Sequence, residues 1–310
     1  MKKMLYFSIV FFLFTFFTNC EKEGNPPLLQ PDNPHNENPD TTTNPNYEDA
    51  TIGAGFRFST YGPEYNPGAN YWASVGEQMS EKFENAKPQG IWIIGSLYAE
   101  GVYLSFPVEG NHQFIWGANT DENEATFDIF DERGVEIWLQ VEPGNADVVE
   151  LIDLILTQYS HHECIVGVGV DVEWYKSVSL PEGQAVTDAE AELWLATAKQ
   201  YNPKYKLFLK HWLIEKMPQN FRNDMVFIDD SQELTSLTAM TNEFKTWGET
   251  FSEAEVGFQI GYEADKTWWG NYTDPASVIG NKLIEEIPNT TGIFWVDFTV
   301  LEVFPPSKEK

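Results

Sequence analysis

From residue 53 onward, eight short β-rich runs alternate with amphipathic helical stretches, and that order constrains the fold more than any other feature. The runs cover residues 53–58, 90–94, 135–142, 164–174, 206–210, 225–229, 256–260 and 292–297. Helical patterns cover 71–85, 122–133, 146–159, 188–201, 234–251 and 275–287, with a less regular segment near 218–223. Thr187 followed by Glu190 forms a capping box, and Asp274 before Pro275 pairs an N-cap with a proline at the first helical position. Repeated strand and helix units imply parallel strands joined by right-handed crossovers. Eight of them in about 250 residues predict a single-domain α/β chain closed into a (β/α)8 barrel of the TIM type. The alternative, an open doubly wound sheet, is weakened because no Gly-rich phosphate fingerprint follows the first strand.

The 19 Lys+Arg against 48 Asp+Glu give a formal charge of −29. Such a field repels phosphate backbones and anionic headgroups, so nucleic acid is not an expected partner. Lys2 and Lys3 precede an apolar run over residues 4–18, a secretory signal pattern shorter than a bilayer-spanning helix. Cys20 follows in Phe17-Thr18-Asn19-Cys20, which resembles a bacterial lipoprotein cleavage site. The resemblance implies acylation of Cys20 and attachment to the cell envelope through lipid alone, with soluble secretion as the alternative. Residues 1–20 thus read as signal, 21–50 as a Pro- and Asn-rich tether, and 51–306 as the barrel. Cys164, inside an apolar run, reads as a buried inert thiol.

Strand parity carries the functional argument, because successive side chains point alternately to the helices and to the barrel axis. In strand four Val166, Val168, Val170 and Val172 share one face, and Gly167, Gly169, Asp171 and Glu173 the other. Strand three places Val135, Ile137, Leu139 and Val141 opposite Glu136, Trp138, Gln140 and Glu142. The same parity adds Arg57, Lys210, Asp229, Gln259, Trp295 and Asp297 to the interior. Burying these polar groups costs several kcal/mol unless they are paired or wet. Most lie at C-terminal strand ends, which favours a polar pocket over a closed ion network joining Arg57 and Lys210 to the acids.

Asp171-Val-Glu173 suits acid chemistry, since an i, i+2 spacing on a strand puts both carboxylates on one face about 6 to 7 Å apart. Their repulsion raises one pKa, leaving Glu173 as proton donor and Asp171 as an ionised helper. Glu142 and Asp229 are candidates for the second carboxylate of glycoside hydrolysis.

At these residues the chain resembles glycoside hydrolase family 18, the chitinase-like barrels, whose strand four ends in D-x-x-D-x-D-x-E. The segment here is Val166-Gly-Val-Gly-Val-Asp171-Val-Glu173, so the final Asp and Glu match, and Val166 and Gly169 stand where the other Asp residues would be. Trp295 is similar to that family's pocket floor. The resemblance implies an acetamido-sugar substrate and a substrate-assisted mechanism, with Glu173 as acid and Asp171 as helper. The family 25 lysozyme-like barrels also end a strand in D-x-E, which keeps cell-wall glycans open. Retaining barrels of the large β-glycosidase class place a Glu on strand seven, where this chain has Gln259.

Trp174, Tyr175, Trp212, Tyr262, Trp268 and Trp269 are expected near the upper rim, where rings stack on the apolar face of a sugar. The 56–68 stretch, rich in turn residues and Tyr, is a further rim loop. With Arg57, Gln140, Lys210, His211, Gln259, Trp295 and Asp297 these rings form the expected glycan-binding set. His161 and His162 are adjacent on a turn and expected to point apart, so no metal site is predicted there. A hard cation held by Asp229, Asp230, Ser231, Asp171 and Glu173 is an alternative use of the acids. No Walker loop or G-x-S-x-G elbow is present. The expectation is a glycan-cleaving barrel without cofactor. A non-catalytic glycan-binding lipoprotein and a structural envelope protein with a salt-bridged interior are the alternatives.

Overall fold

The computed structural model describes residues 52–306, and the signal segment with Cys20 and the 21–50 tether lie outside the described residues. In chain order the elements are β1 Ile52–Phe58, α1 Ala69–Ser80, β2 Ala86–Tyr98, β3 Gly101–Leu104, β4 Ile115–Gly117, α2 Glu124–Arg133, β5 Glu136–Val141 and α3 Val148–Tyr159. Then follow β6 Ile165–Asp171, α4 Asp188–Tyr201, β7 Lys206–Lys210, β8 Met225–Asp229, α5 Leu237–Thr250 and β9 Glu255–Ile260. The last are α6 Lys266–Trp269, α7 Pro275–Glu286, β10 Thr290–Val296 and α8 Asp297–Val303. The parallel strands run β1-β10-β9-β8-β7-β6-β5-β2, and β1 pairs with β2 to close the ring. The expected barrel is therefore present, with all of its strands where the β-rich runs lie.

The predicted helix starts hold. The Thr187 hydroxyl accepts from the Glu190 N–H at 3.2 Å while the Glu190 carboxylate accepts from the Thr187 N–H at 2.9 Å. Asp274 caps α7 by accepting from the Ser277 N–H at 3.0 Å. No helix forms over 218–223. The sequence reading also passed over β3 and β4, which extend the sheet outward from the upper half of β2. Among the described residues no helix is long and apolar enough to cross a membrane.

Inside the ring, Ile91, Trp138, Phe208, Val226, Ile228 and Phe294 form an apolar layer. The glycines of β6 make room for it. A Cβ on Gly169 would lie 1.9 Å from the Phe208 ring, so the small residues opposite the valines are what let that ring fill the axis. The outer faces pack on the helices through residues such as Phe56, Leu139, Val170, Leu209, Phe227 and Phe258.

Parity fails at three places. A register shift between β5 and β6 turns Val166 onto the axial layer, whereas Val168 and Val170 face the helices as expected. In β8 the axial residues are Val226 and Ile228, so Asp229, in register with the outward Phe258, leaves the interior and Asp230 takes its place. In β10 Phe294 is axial, and Trp295, in register with the outward Phe56, lies behind the barrel wall. Both short strands are apolar on both faces, so hydrophobicity could not distinguish their two registers.

Candidate functional site

The upper end of the barrel gathers Arg57, Gln140, Asp171, Lys210, Asp230, Gln259 and Asp297, all buried. They fall into two charge clusters. Arg57 pairs with Asp297 at 2.9 Å, and Asp297 also accepts from the Ser59 hydroxyl at 2.6 Å. Lys210 lies 2.9 Å from Asp171 and is also paired with Asp230. Burial opposes the Lys210 ammonium, but the flanking Asp171 and Asp230 carboxylates hold its pKa well above the usual lysine value. One ammonium cannot neutralise two buried carboxylates. Burial accordingly pushes Asp171 well above the carboxylate range despite Lys210, with Glu173 adding repulsion. Asp171 is thus committed to the Lys210 ammonium and to Gln140, which donates to it at 3.3 Å. Lys210 already pairs with Asp171 and Asp230, Asp229 lies off the axis, and among the described residues these acids do not gather as a cation site, which counts against the cation alternative.

Several buried polar atoms here have no hydrogen-bond partner among the described residues: Gln140 Oε1, Asp171 Oδ1, Asp230 Oδ1 and Gln259 Nε2. Buried polar groups are nearly always satisfied, so such a set at one end of a barrel marks a place for the polar groups of a ligand or for water.

Glu173 sits differently. The chain leaves β6 at Asp171 and makes a short 3-10 turn over Val172–Trp174, which lifts Glu173 above the strand end. Glu173 is only partly exposed and makes no hydrogen bond or ion pair among the described residues. Burial, reinforced by Asp230, Glu142 and Glu182 against the opposing Lys210, pushes its pKa up to about 7. The turn is held from above by the returning loop. Gly183 has φ +69°, and a Cβ there would lie 1.9 Å from the Val172 carbonyl oxygen, so only glycine lets the loop come this close. His211, fully buried, fixes that loop. Its Nδ1 accepts from the Leu213 N–H at 2.9 Å, so Nε2 is the donor to the Glu182 carbonyl at 3.0 Å. Burial lowers the His211 pKa and keeps the ring neutral. His211 is therefore a positioning residue, not a pocket acid, base or ligand.

Glu142 is buried with both oxygens engaged, accepting from the Tyr61 hydroxyl and from the Leu97 N–H at 2.9 Å. Asp229 accepts from the Ser231 N–H at 2.8 Å outside the axial set. Of the expected rings, Trp174, Trp212 and Trp268 are partly exposed, and Trp268 donates to the Leu234 carbonyl at 2.9 Å. Tyr175 is buried against Trp194 and donates to Glu190 at 2.7 Å, so it packs on α4 instead of lining the rim. Trp269 is buried edge-on to Trp295, and Trp295 donates to the Thr299 hydroxyl at 2.8 Å. Neither can stack on a sugar, and the likeness of Trp295 to a pocket floor is withdrawn. Tyr262 is buried and donates to Gln259 at 3.0 Å.

Of the exposed rings near the charged cluster, Tyr61 belongs to the expected 56–68 rim loop, whereas the sequence does not single out Phe298. Tyr61 is 51% and Phe298 47% exposed, their centroids are 6.4 Å apart, and the Arg57 guanidinium lies 4.6 Å from the Phe298 centroid. Ser59 lies in that same rim loop, Phe298 is expected nowhere at the site, and Asp230 is expected only in the cation alternative and not on the axis. The signal for Asp230 was its place directly after the ambiguous β8.

No family model and no curated protein matches the chain. Among solved structures it is similar to the intracellular xylanase TsXylA from Thermoanaerobacterium saccharolyticum, at 13% identity and a TM-score of 0.41 over 85% of this chain and 90% of that one. It is also similar to β-glucuronidase 3 from Bacteroides uniformis, at 12% identity and a TM-score of 0.42 over 80% of this chain and 32% of that one. A β-glucuronidase from an uncultured Clostridium matches at 10% identity and a TM-score of 0.39 over 56% of this chain and 35% of that one. The chain thus spans about a third of the length of these two glucuronidases. At such scores the likeness adds nothing to the strand pairing that already defines the barrel, and a barrel alone does not define a chemistry.

Proposed function

We propose that the protein cleaves a glycosidic bond at the upper mouth of the barrel, with Glu173 as general acid. The observation that carries this reading is a partly exposed, unpaired carboxyl group whose pKa is raised to about 7, standing over a buried polar floor. A group of that kind carries a proton near neutral pH and can give it to the leaving oxygen as the C–O bond breaks. The unpartnered atoms of Gln140, Asp171, Asp230 and Gln259 would receive sugar hydroxyls, and Tyr61 and Phe298 offer apolar ring faces beside them. Asp171 would act as positioning partner through Lys210. The charge of Glu142 contributes to the raised pKa of Glu173, which makes it the second carboxylate of choice once substrate displaces the Tyr61 hydroxyl.

The sequence resemblance to family 18 now rests on Asp171 and Glu173 alone. In this reading Cys20 is acylated, residues 21–50 tether the barrel to the bacterial envelope, and the ligand is a glycan.

Assay of the purified chain over a broad panel of polysaccharides and aryl glycosides tests the reading. Turnover that Glu173→Gln removes while binding persists supports it, and equal turnover by the variant overturns the role of Glu173. A second reading, a glycan-binding barrel without chemistry, is favoured by the pairing of Asp171, Asp230 and Asp297 with cations. It predicts binding over the same panel with no product and no effect of Glu173→Gln on affinity.

A further inference from the structure

Away from the barrel mouth, where the chain turns from α3 into β6, Glu124, His161 and His162 converge with ligand atoms that all lie within 4.8 Å of one another. The expectation that the two histidines point apart fails, because their ring centroids are 4.2 Å apart and both reach the same carboxylate. His161 Nε2 lies 2.9 Å from Glu124 Oε1 and His162 Nε2 lies 3.5 Å from Glu124 Oε2. These separations bracket the roughly 3.3 Å between ligand atoms that a tetrahedral zinc ion with bonds of about 2.0 to 2.1 Å imposes.

Two further features mark a ligand set rather than a chance ion pair. The His162 side chain is only 2% exposed, and among the described residues its Nε2 has no hydrogen-bond partner, nor has Glu124 Oε2, which it faces. The other ring nitrogen is already committed: His162 Nδ1 lies 2.7 Å from Asp131 Oδ2. Asp131 stands two turns after Glu124 on the same face of α2, so the ring spans from one carboxylate to the other. Asp131 is held in turn by accepting from the Cys164 N–H at 2.6 Å. An Nδ1–H donated to a carboxylate leaves the Nε2 lone pair free and aimed at Glu124, the arrangement by which proteins orient a metal-binding imidazole.

We propose that Glu124, His161 and His162 form a binding site for a divalent transition metal ion such as Zn²⁺, with Asp131 orienting His162 and water completing the coordination. Imidazole and carboxylate donors suit Zn²⁺, and three protein ligands leave at least one position to solvent. The site ties the first turn of α2 to the entry of β6, at the opposite end of that strand from Asp171, so its role is to brace the barrel wall.

The test is calorimetric titration of the EDTA-treated full chain with ZnCl₂ near pH 7.5, together with the shift in melting temperature on adding the metal. The expected result is one Zn²⁺ per chain and a rise in melting temperature. Glu124→Gln and His161→Ala, both at partly exposed positions that do not endanger the fold, should each weaken binding at least tenfold. Asp131→Asn should weaken it about 10- to 100-fold. His112→Ala, a histidine paired elsewhere with Glu150, should leave binding unchanged. Absence of stoichiometric binding overturns the proposal, as does binding by Glu124→Gln and His161→Ala at parent affinity. Loss of binding in Cys164→Ser would overturn the assigned ligands in favour of the Asp131, His162 and Cys164 side of the cluster.

Discussion

The two ends of the barrel interior are both charged, yet their charges are used differently. At the lower end Lys87 pairs with Glu136 at 2.5 Å and Lys206 pairs with Glu255, all partly exposed, with Gln89 donating to Glu136 at 2.8 Å. Each donor there has its acceptor, and water reaches both. At the upper end Arg57, Lys210 and their aspartates are buried, and among the described residues several polar atoms there lack hydrogen-bond partners and Glu173 has none. An apolar layer around Trp138, Phe208 and Phe294 separates the two. The contrast teaches that charge inside a barrel does not mark a functional end. Burial without full satisfaction does, because only there do pKa values shift and polar atoms remain to be met by a ligand.

That contrast can be broken by substitution. The largest expected effect is on catalysis: Glu173→Gln should lower turnover about 10²- to 10⁴-fold, the usual worth of a general acid, as read from kcat on any glycan the parent cleaves. Next, Lys210→Met should destabilise the fold by about 3 to 5 kcal/mol in a denaturant titration, because it strands the Asp171 and Asp230 carboxylates. Trp295→Ala should cost a similar amount or slightly less, about 3 kcal/mol or more, through lost packing against Trp269 and Phe304, while leaving glycan affinity unchanged. A loss of affinity without a loss of stability would return Trp295 to the pocket. At the lower end Lys206→Ala should change stability by about 1 kcal/mol or less, since its partner stays in water. An equal cost at both ends would remove the distinction.

Stability should also depend on pH through Glu173. Its folded pKa of about 7 lies above that of an unfolded glutamate, so the native state binds more protons between those values. The group therefore favours folding fully below about pH 4.3, and this contribution declines as pH rises and is gone above about pH 7. Glu173→Gln should flatten that decline in melting temperature.

The barrel was legible because each strand-length apolar run was bounded by a helical pattern, and the inner face of β5 and the end of β6 were legible because their alternation was strict. Asp171 and Glu173 were found for that reason. Asp229 and Trp295 were misplaced because β8 and β10 are apolar on both faces and carry no record of parity. Tyr175 and Trp269 follow strand ends in sequence, as rim rings do, but their hydroxyl and indole groups have partners inside the fold, namely Glu190 and the Tyr262 carbonyl. The convergence of His161 and His162 on Glu124 had no local signal, since it depends on how α2 lies beside the turn before β6.

The most direct test of the central claim is a carbon-detected NMR titration of the side-chain carboxyl groups, comparing the parent with Glu173→Gln. The account predicts a carboxyl resonance that titrates near pH 7 in the parent and is missing from the variant. If instead the resonance lost in the variant titrates near 4.3, the value of an unperturbed glutamate, Glu173 is no proton donor at neutral pH and the catalytic reading is contradicted.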